Sequence, residues 1–137
     1  MHHKEKRDSQ GNIYYEVDQG DFDLIRNPIL NKGSAFPESE RHLFGLHGIL
    51  AVGISDLETQ KIRSYQAFQN KVTPLEKYIY LRELQDSNET LFYGLIVDHI
   101  QEMLPIVYTP VVGEACQNFG RIYRRPRGLY LTPACKD

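Results

Sequence analysis

The stretch TPLEKYIYLRELQDSNETLFYGLI (residues 73–96) carries the clearest local structural signals in the chain. Thr73, Pro74 and Glu76 have the residue types and the spacing of a helix N-cap, a first helical residue and a capping-box carboxylate. The apolar residues Leu75, Tyr78, Ile79 and Leu84 then recur near helical spacing. Asn88 is of a residue type that commonly caps helix N-termini, so it is the candidate N-cap of a further helix. The stretch therefore predicts one helix that begins at Pro74 and a second that begins after Asn88.

The second helix is predicted to continue beyond the quoted stretch. Its apolar stripe comprises Leu91, Phe92, Leu95, Ile96, Ile100, Met103 and Leu104. Because proline lacks a backbone N–H and clashes with the preceding turn, we expect this helix to stop or kink before Pro105.

Two more helices are predicted on either side of this pair. Ser55 and Glu58 have capping-box spacing and precede the apolar residues Leu57, Ile62, Tyr65, Phe68 and Val72. Thr109 is the predicted cap of the other helix, with Pro110 as its first residue and Gly120 as its terminator. Val112, Ala115, Cys116 and Phe119 form its expected apolar face.

The N-terminal third of the chain has weaker signals. Residues 1–21 are polar, without a sustained period, and are predicted to form a flexible N-terminal arm. Pro37 can open a short helix that Gly45 closes, and residues 47–54 are predicted to form a loop. Only residues 129–132, LYLT, favour a strand. The expected fold is mainly α: one compact helical domain over residues 22–137 with a short C-terminal strand.

The composition and charge of the chain give no support for a nucleic-acid-binding, membrane-spanning or secreted protein. The formal net charge is -2 over 137 residues, which indicates no strong overall attraction to nucleic acid or to an anionic membrane. No apolar run approaches a membrane span, and no apolar leader precedes Cys116 and Cys135. We therefore expect a soluble cytoplasmic protein with reduced cysteines, of which Cys116 is a small core residue.

Few residues suggest chemistry from their pattern alone. Tyr108 ends an apolar run directly before Thr109-Pro110, and a tyrosine held beside a cation or a helix N-terminus can act as a general acid. A buried ring with a locally bonded hydroxyl is the alternative reading. The run RIYRRPRG (121–128) combines arginines with Tyr123, which suits phosphates or a nucleic acid strand, but a solvated turn or pairing with carboxylates is favoured. His42, His47 and His99 have no partners at metal-ligand spacing.

Several segments together resemble one enzyme family. They are LNKGSAF (30–36), HGIL (47–50), PLEKYIYLRELQDSNETLFY (74–93), MLPIVYTPVVGEAC (103–116) and RRPRGLYL (124–131). These segments are similar to the N-terminal part of malic enzymes, and the resemblance covers about residues 26 to 132. Malolactic enzymes share similar N-terminal elements and stay an alternative.

The resemblance implies a reaction and a role for Tyr108. Malic enzymes oxidise L-malate with NAD or NADP, decarboxylate the product, and protonate the resulting enolpyruvate to pyruvate with the help of Mg or Mn. The tyrosine of the family's Y-T-P element is the general acid of the last step, and it matches Tyr108. The helix start after Tyr108 and the apolar run before it are expected to hold the phenol in place.

The resemblance also implies where the other functional residues of the family lie. The family's lysine base, acidic metal ligands, malate-binding arginine and dinucleotide motif lie downstream of the matched region. We therefore expect this chain to bind no cofactor or metal by itself and to be inactive alone.

Two expectations about assembly follow from the resemblance. Some animal malic enzymes bind fumarate through two arginines, of which Arg63 matches the first while Ser87 stands in the place of the second. Fumarate activation is therefore doubtful, and Arg63 is at most the remnant of an effector site. N-terminal helices contribute to dimer contacts in the family, so a homo-oligomer is expected. A non-catalytic interaction module that keeps this surface is the alternative to an enzyme part.

Overall fold

A computed structural model describes residues 3–126 and 131–135 of the chain. In these described residues, two strands, β1 (His3–Arg7) and β2 (Ile13–Val17), precede eight helices. These are α1 (Asp21–Arg26), α2 (Glu38–Leu43), α3 (Leu57–Gln69), α4 (Pro74–Ser87), α5 (Glu89–Asp98), α6 (Ile100–Val107), α7 (Val111–Gln117) and α8 (Phe119–Ile122). Short 3-10 turns form at Gly33–Ala35 and Pro133–Cys135. The prediction of a mainly helical fold is confirmed.

The C-terminal strand predicted at residues 129–132 lies partly outside the described residues. The structure describes Leu131 and Thr132, which form no strand, but it does not describe residues 129 and 130. Among the described residues, no helix has the length and apolar character needed to cross a membrane.

The N-terminal arm contains regular structure that the sequence analysis did not predict. β1 and β2 pair antiparallel in a hairpin, with His3 opposite Val17 and Arg7 opposite Ile13. Asp8 closes the turn, because its Oδ1 accepts hydrogen bonds from the backbone N–H groups of Gln10 and Asn12. The expectation of an arm without regular structure is therefore wrong for these strands, whereas its flexibility stays a prediction.

The caps that flank α4 are those predicted from the sequence. The Thr73 hydroxyl accepts from the N–H of Glu76, and the Glu76 carboxylate accepts from the N–H of Thr73 at 2.8 Å. The hydrogen bonds with Thr73 lower the pKa of the Glu76 carboxyl. Asn88 caps α5 by accepting from the N–H of Leu91 at 3.0 Å. Both helix starts are confirmed.

The cap of α3 is Asp56 rather than Ser55. The Asp56 carboxylate accepts from the N–H of Thr59 at 2.7 Å, and this bond lowers the pKa of Asp56. The Ser55 hydroxyl instead lies 2.6 Å from the Ser34 hydroxyl, so a tertiary contact uses the group that was predicted to cap. The inward face of α3 is also polar in part, since Gln60 and Ser64 are buried with Phe68.

The apolar pattern assigned to α3 is correct for Phe68 and wrong for two other residues. Ile62 is 61% exposed and Val72 is 88% exposed. The inward face instead buries Gln60 and Ser64, and Gln60 hydrogen-bonds to Lys32 and Ser34 of the preceding segment.

The helix after Asn88 breaks at His99, six residues before the predicted kink. His99 has non-helical backbone angles, and its carbonyl accepts from the N–H groups of Glu102 and Met103 to start α6. The His99 ring stacks on Tyr65 with the ring centroids 3.7 Å apart. Pro105 lies inside α6, where the missing N–H removes one hydrogen bond of a short helix.

The start and the end of α7 also differ from the prediction. Pro110 is the N-cap residue, and in the described part of the chain no side chain, including that of Thr109, makes a capping hydrogen bond there. The helix ends at Asn118, whose side-chain amide donates to the carbonyl of Glu114. Gly120 therefore lies within α8 and is not the terminator.

The buried apolar residues form two clusters. One cluster, from α3 to α6, contains Phe68, Leu81, Phe92, Leu95 and Met103. The other, from α1 to the segment after α2, contains Leu24, Leu30, Phe36 and Leu46. The second cluster packs beneath the hairpin, since Val17 contacts it.

Arg41 organises the segment around the second cluster. The residue is 3% exposed, and its guanidinium donates to the carbonyls of Phe36 at 2.9 Å and Ala51 at 2.7 Å. Further bonds reach the carbonyls of Val52, Ser34 and Gly53.

Residues 47–54 form the predicted loop, and Pro37 and Gly45 flank α2 as expected. The bonds from Arg41 hold this loop, and they pair backbone carbonyls that no β ladder pairs.

We expect Arg41→Met to lower the free energy of unfolding by about 3 kcal/mol, because the buried carbonyl of Phe36 and the carbonyls of Ser34 and residues 51–53 lose the hydrogen bonds of Arg41. Urea unfolding followed by circular dichroism measures this change. Arg63→Met, at an exposed position on α3, is the matched control and should change it by less than about 0.5 kcal/mol. Equal effects of the two substitutions would contradict the role of Arg41.

The two threonine-proline starts give a second stability prediction. Thr73→Ala removes a capping hydrogen bond and should cost about 1 kcal/mol, whereas Thr109→Ala removes none and should stay within about 0.5 kcal/mol. Thermal and urea unfolding of both variants test the difference. A larger loss in Thr109→Ala would show that the cap assignment is wrong.

Candidate functional site

Tyr108 lies at the junction of α6 and α7. Its backbone N–H donates to the carbonyl of Leu104 at 3.0 Å, and its carbonyl accepts from the N–H of Val112 at 2.8 Å. Both neighbouring helices are anchored, because Met103 and Val111 are buried in the helical core region. The backbone of Tyr108 is therefore held from both sides, while its side chain is left to point away from the core.

The phenol of Tyr108 is accessible. Tyr108 is 64% exposed, and its hydroxyl forms no hydrogen bond within residues 3–126 and 131–135. The alternative of a buried tyrosine with a locally bonded hydroxyl is thus wrong. A phenol that works as an acid needs a cation or a donor to stabilise its phenolate. In the described part of the chain, no side chain provides that contact.

A row of exposed apolar residues leads along α5 and α6 to Tyr108. We call this row the α5–α6 stripe; its residues are Tyr93, Val97, Ile100 and Leu104, spaced three or four apart and each at least 45% exposed. At that spacing Tyr93 and Val97 share one face of α5, and Ile100 and Leu104 share one face of α6, on either side of the break at His99. Large exposed apolar patches are typical of interaction surfaces in general.

Arg121, Arg124 and Arg125 are exposed, and among these described arginines Arg124 pairs with a carboxylate. Arg124 Nε lies 3.9 Å from Glu83 Oε1, and Arg125 donates to the carbonyl of Asp86. Arg121 is exposed, and Arg127 lies outside the described residues. The pairing between α4 and the basic run fits the reading in which these arginines meet carboxylates.

Cys116 lines a shallow cleft of about 100 Å³ between α4 and α7–α8. The residue is exposed, so the prediction that it belongs to the core is wrong. Val111 and Ala115 occupy the inward positions of α7, and Cys116 follows one residue later, about 100° around the helix. Cys135 is exposed as well, and its hydrogen bonds with Thr132 lower the pKa of its thiol.

The histidines and Arg63 make no recognisable site in the described residues. The rings of His42 and His47 are 6.3 Å apart, and His99 stacks on Tyr65. No group of three or more His, Cys, Asp or Glu residues is arranged to hold a metal ion in the described ranges. Arg63 and Ser87 are both exposed, and the effector role of Arg63 stays a prediction.

The sequence of this chain is similar to those of proteins from one enzyme family. The family model for the N-terminal domain of malic enzyme matches residues 85–137, which include Tyr108. An NAD-dependent malic enzyme of Aliivibrio fischeri (strain ATCC 700601 / ES114) is 53% identical over 109 residues, covering 80% of this chain and 19% of that enzyme.

Two other relatives agree. An NAD-dependent malic enzyme of Acinetobacter baylyi is 53% identical over 111 residues, which cover 81% of this chain and 20% of that enzyme. An enzyme of the same name from Idiomarina loihiensis is 49% identical over 114 residues, with 83% and 20% covered. The chain thus spans about a fifth of the length of the curated relatives it matches.

Proposed function

Because this chain corresponds to the N-terminal region of a malic enzyme, we propose that it supplies Tyr108 to the oxidative decarboxylation of L-malate. NAD, when bound, would supply the hydride acceptor for the oxidation of malate to oxaloacetate, and loss of carbon dioxide from oxaloacetate leaves enolpyruvate. The Tyr108 hydroxyl then donates its proton to the methylene carbon of enolpyruvate, and pyruvate forms. Solvent or a neighbouring base returns a proton to the phenolate.

The observation that carries this proposal is the placement of Tyr108. A general acid must stay close to one carbon atom of the substrate while its hydroxyl remains accessible. The backbone bonds to Leu104 and Val112, which hold the backbone of Tyr108, and its 64% exposure support the proposal on these two points.

We further propose that the chain alone is inactive. The described residues do not fit a divalent metal, since no acidic or histidine group among them is arranged as a ligand set. Tyr108 also lacks, within those residues, a partner for its phenolate. The NAD site, the metal site and the base that removes the hydroxyl proton of malate are proposed to lie in polypeptide that covers the exposed side of Tyr108. The choice of NAD rests on the names of the relatives.

A chimaera tests the role of Tyr108. The matched N-terminal segment of the Aliivibrio fischeri enzyme is replaced by the corresponding segment of this chain, and NADH and pyruvate formation from L-malate are followed. Tyr108→Phe removes the proton donor and should lower pyruvate formation at least about a hundredfold. Tyr123→Phe, at another exposed tyrosine, should change it less than about threefold.

The chimaera also separates the competing functions. An active chimaera whose Tyr108→Phe variant keeps full activity would refute the catalytic role. A folded chimaera that forms no NADH but associates normally would favour an interaction module. Formation of lactate without net NADH would favour the malolactic alternative.

The second proposal is that the chain forms a homo-oligomer through its helices. The α5–α6 stripe supports this, because its four apolar residues are exposed and would otherwise contact water. A non-catalytic interaction module would use the same surface, so the stripe also favours the alternative function. The enzyme part and the interaction module therefore share this surface. They differ in whether substitution of Tyr108 changes the rate of malate decarboxylation.

Val97→Glu tests this surface, because it places an unpaired charge at the centre of the stripe. We expect association of the chain, measured by analytical ultracentrifugation, to weaken at least about tenfold. Val72→Glu is the matched control, since Val72 is 88% exposed and lies outside the stripe. A monomeric parent chain, or equal association of both variants, would contradict the proposal.

A further inference from the structure

A large cavity lies between the N-terminal hairpin and the segments beneath it. Its volume is about 460 Å³, which is within the range of small-molecule sites. Much of its wall is apolar or aromatic, including Ile13, Tyr15, Val17, Leu24, Phe36 and Phe44. Tyr108 and the α5–α6 stripe do not line it. The cavity is therefore separate from the proposed catalytic surface.

Two buried carboxamides line this cavity. Gln60 is 7% exposed and Asn88 is 6% exposed. Both approach Gly33, since a Cβ atom placed on Gly33 would lie 3.4 Å from Gln60 Nε2 and 4.0 Å from Asn88 Nδ2. Polar side chains that are almost fully buried next to an apolar cavity are the kind of group that orients a ligand.

The hydrogen bonds of these carboxamides leave one acceptor and one donor unused. Gln60 Nε2 donates to the Lys32 carbonyl at 2.9 Å and to Ser34 Oγ at 3.0 Å, whereas Gln60 Oε1 has no partner among the described residues. Asn88 Oδ1 accepts from the N–H of Leu91, and Asn88 Nδ2 makes no hydrogen bond within the described residues. A buried acceptor without a partner costs free energy, which a ligand that donates to it would recover.

The charges around the cavity are already paired. Lys32 Nζ lies 2.7 Å from both carboxylate oxygens of Glu40. A charged ligand would find no free counter-ion among these two residues and would lose its hydration on entry. An uncharged ligand avoids that cost.

We propose that this cavity binds an uncharged aromatic molecule that carries a carboxamide. The ring packs among Tyr15, Phe36 and Phe44, the ligand N–H donates to Gln60 Oε1, and the ligand carbonyl accepts from Asn88 Nδ2. Gln60 Oε1 is closed to solvent in the free chain, so binding requires the Gln60 carboxamide to tilt toward the cavity. This site and its ligand are independent of the reaction proposed for Tyr108.

Benzamide is the first probe. It is titrated into the ¹⁵N-labelled chain, and the backbone amides of Ala35 and Thr90 and the side-chain amide of Gln60 are followed by NMR. We expect saturable shifts at all three positions. Acetophenone has nearly the same shape but lacks the N–H donor, and it should bind about tenfold more weakly. Benzoate carries a charge and should not saturate.

Substitution of Gln60 tests which group recognises the amide. Gln60→Leu removes the acceptor and should weaken benzamide binding about tenfold, while Gln66→Leu, at an exposed position of the same helix, should leave it unchanged. Thr90→Trp alters an exposed residue of the cavity wall and should block benzamide without burying a new group in the core.

Three results would overturn the proposal. They are the absence of saturable shifts in the parent chain, equal binding of benzamide and acetophenone, and full binding by the Thr90→Trp variant. If Gln60→Leu does not fold, the comparison of benzamide with acetophenone in the parent chain still decides whether a donor is recognised.

Discussion

A buried polar network holds the two apolar clusters of this protein together. The Arg41 guanidinium donates to carbonyls at both ends of the segment between residues 34 and 53, including that of Ser34. The Ser34 hydroxyl contacts both Ser55 and Gln60, and Gln60 donates to the Lys32 carbonyl. Since a buried donor or acceptor without a partner is costly, these contacts specify one arrangement of the N-terminal segments against α3.

Two further bonds extend this connection to the end of α4. The Asn31 side chain donates to the carbonyl of Ser87, and the backbone N–H of Glu89 donates to the carbonyl of Pro28. The start of α5 is therefore tied both to its own cap, Asn88, and to the N-terminal cluster. The direction of α5, and through it that of α6, places Tyr108 at the surface. The position of the proposed acid thus depends on polar contacts far from it in sequence.

Sequence reasoning was reliable where neighbouring residues decide the structure. The capping box of Thr73 and Glu76 and the Asn88 cap use groups within three residues of one another, and both are found. It failed where a distant residue competes for the same group. Ser55 was predicted to cap α3, but its hydroxyl contacts Ser34, and Asp56 caps the helix. The break at His99 was also missed, because the Tyr65 ring that stacks on His99 comes from another helix.

The sequence by itself determined the helical class and the starts of α4 and α5, and it gave the proposal that Tyr108 is the acid, because these follow from local spacing and from a motif shared with malic enzymes. Only the tertiary structure decided the exposure of Tyr108 and Cys116, the hairpin over residues 3–17, and the burial of Gln60 beside a cavity. The physical reason is that burial and long-range hydrogen bonding depend on which segments meet in space. Local propensity does not contain that information.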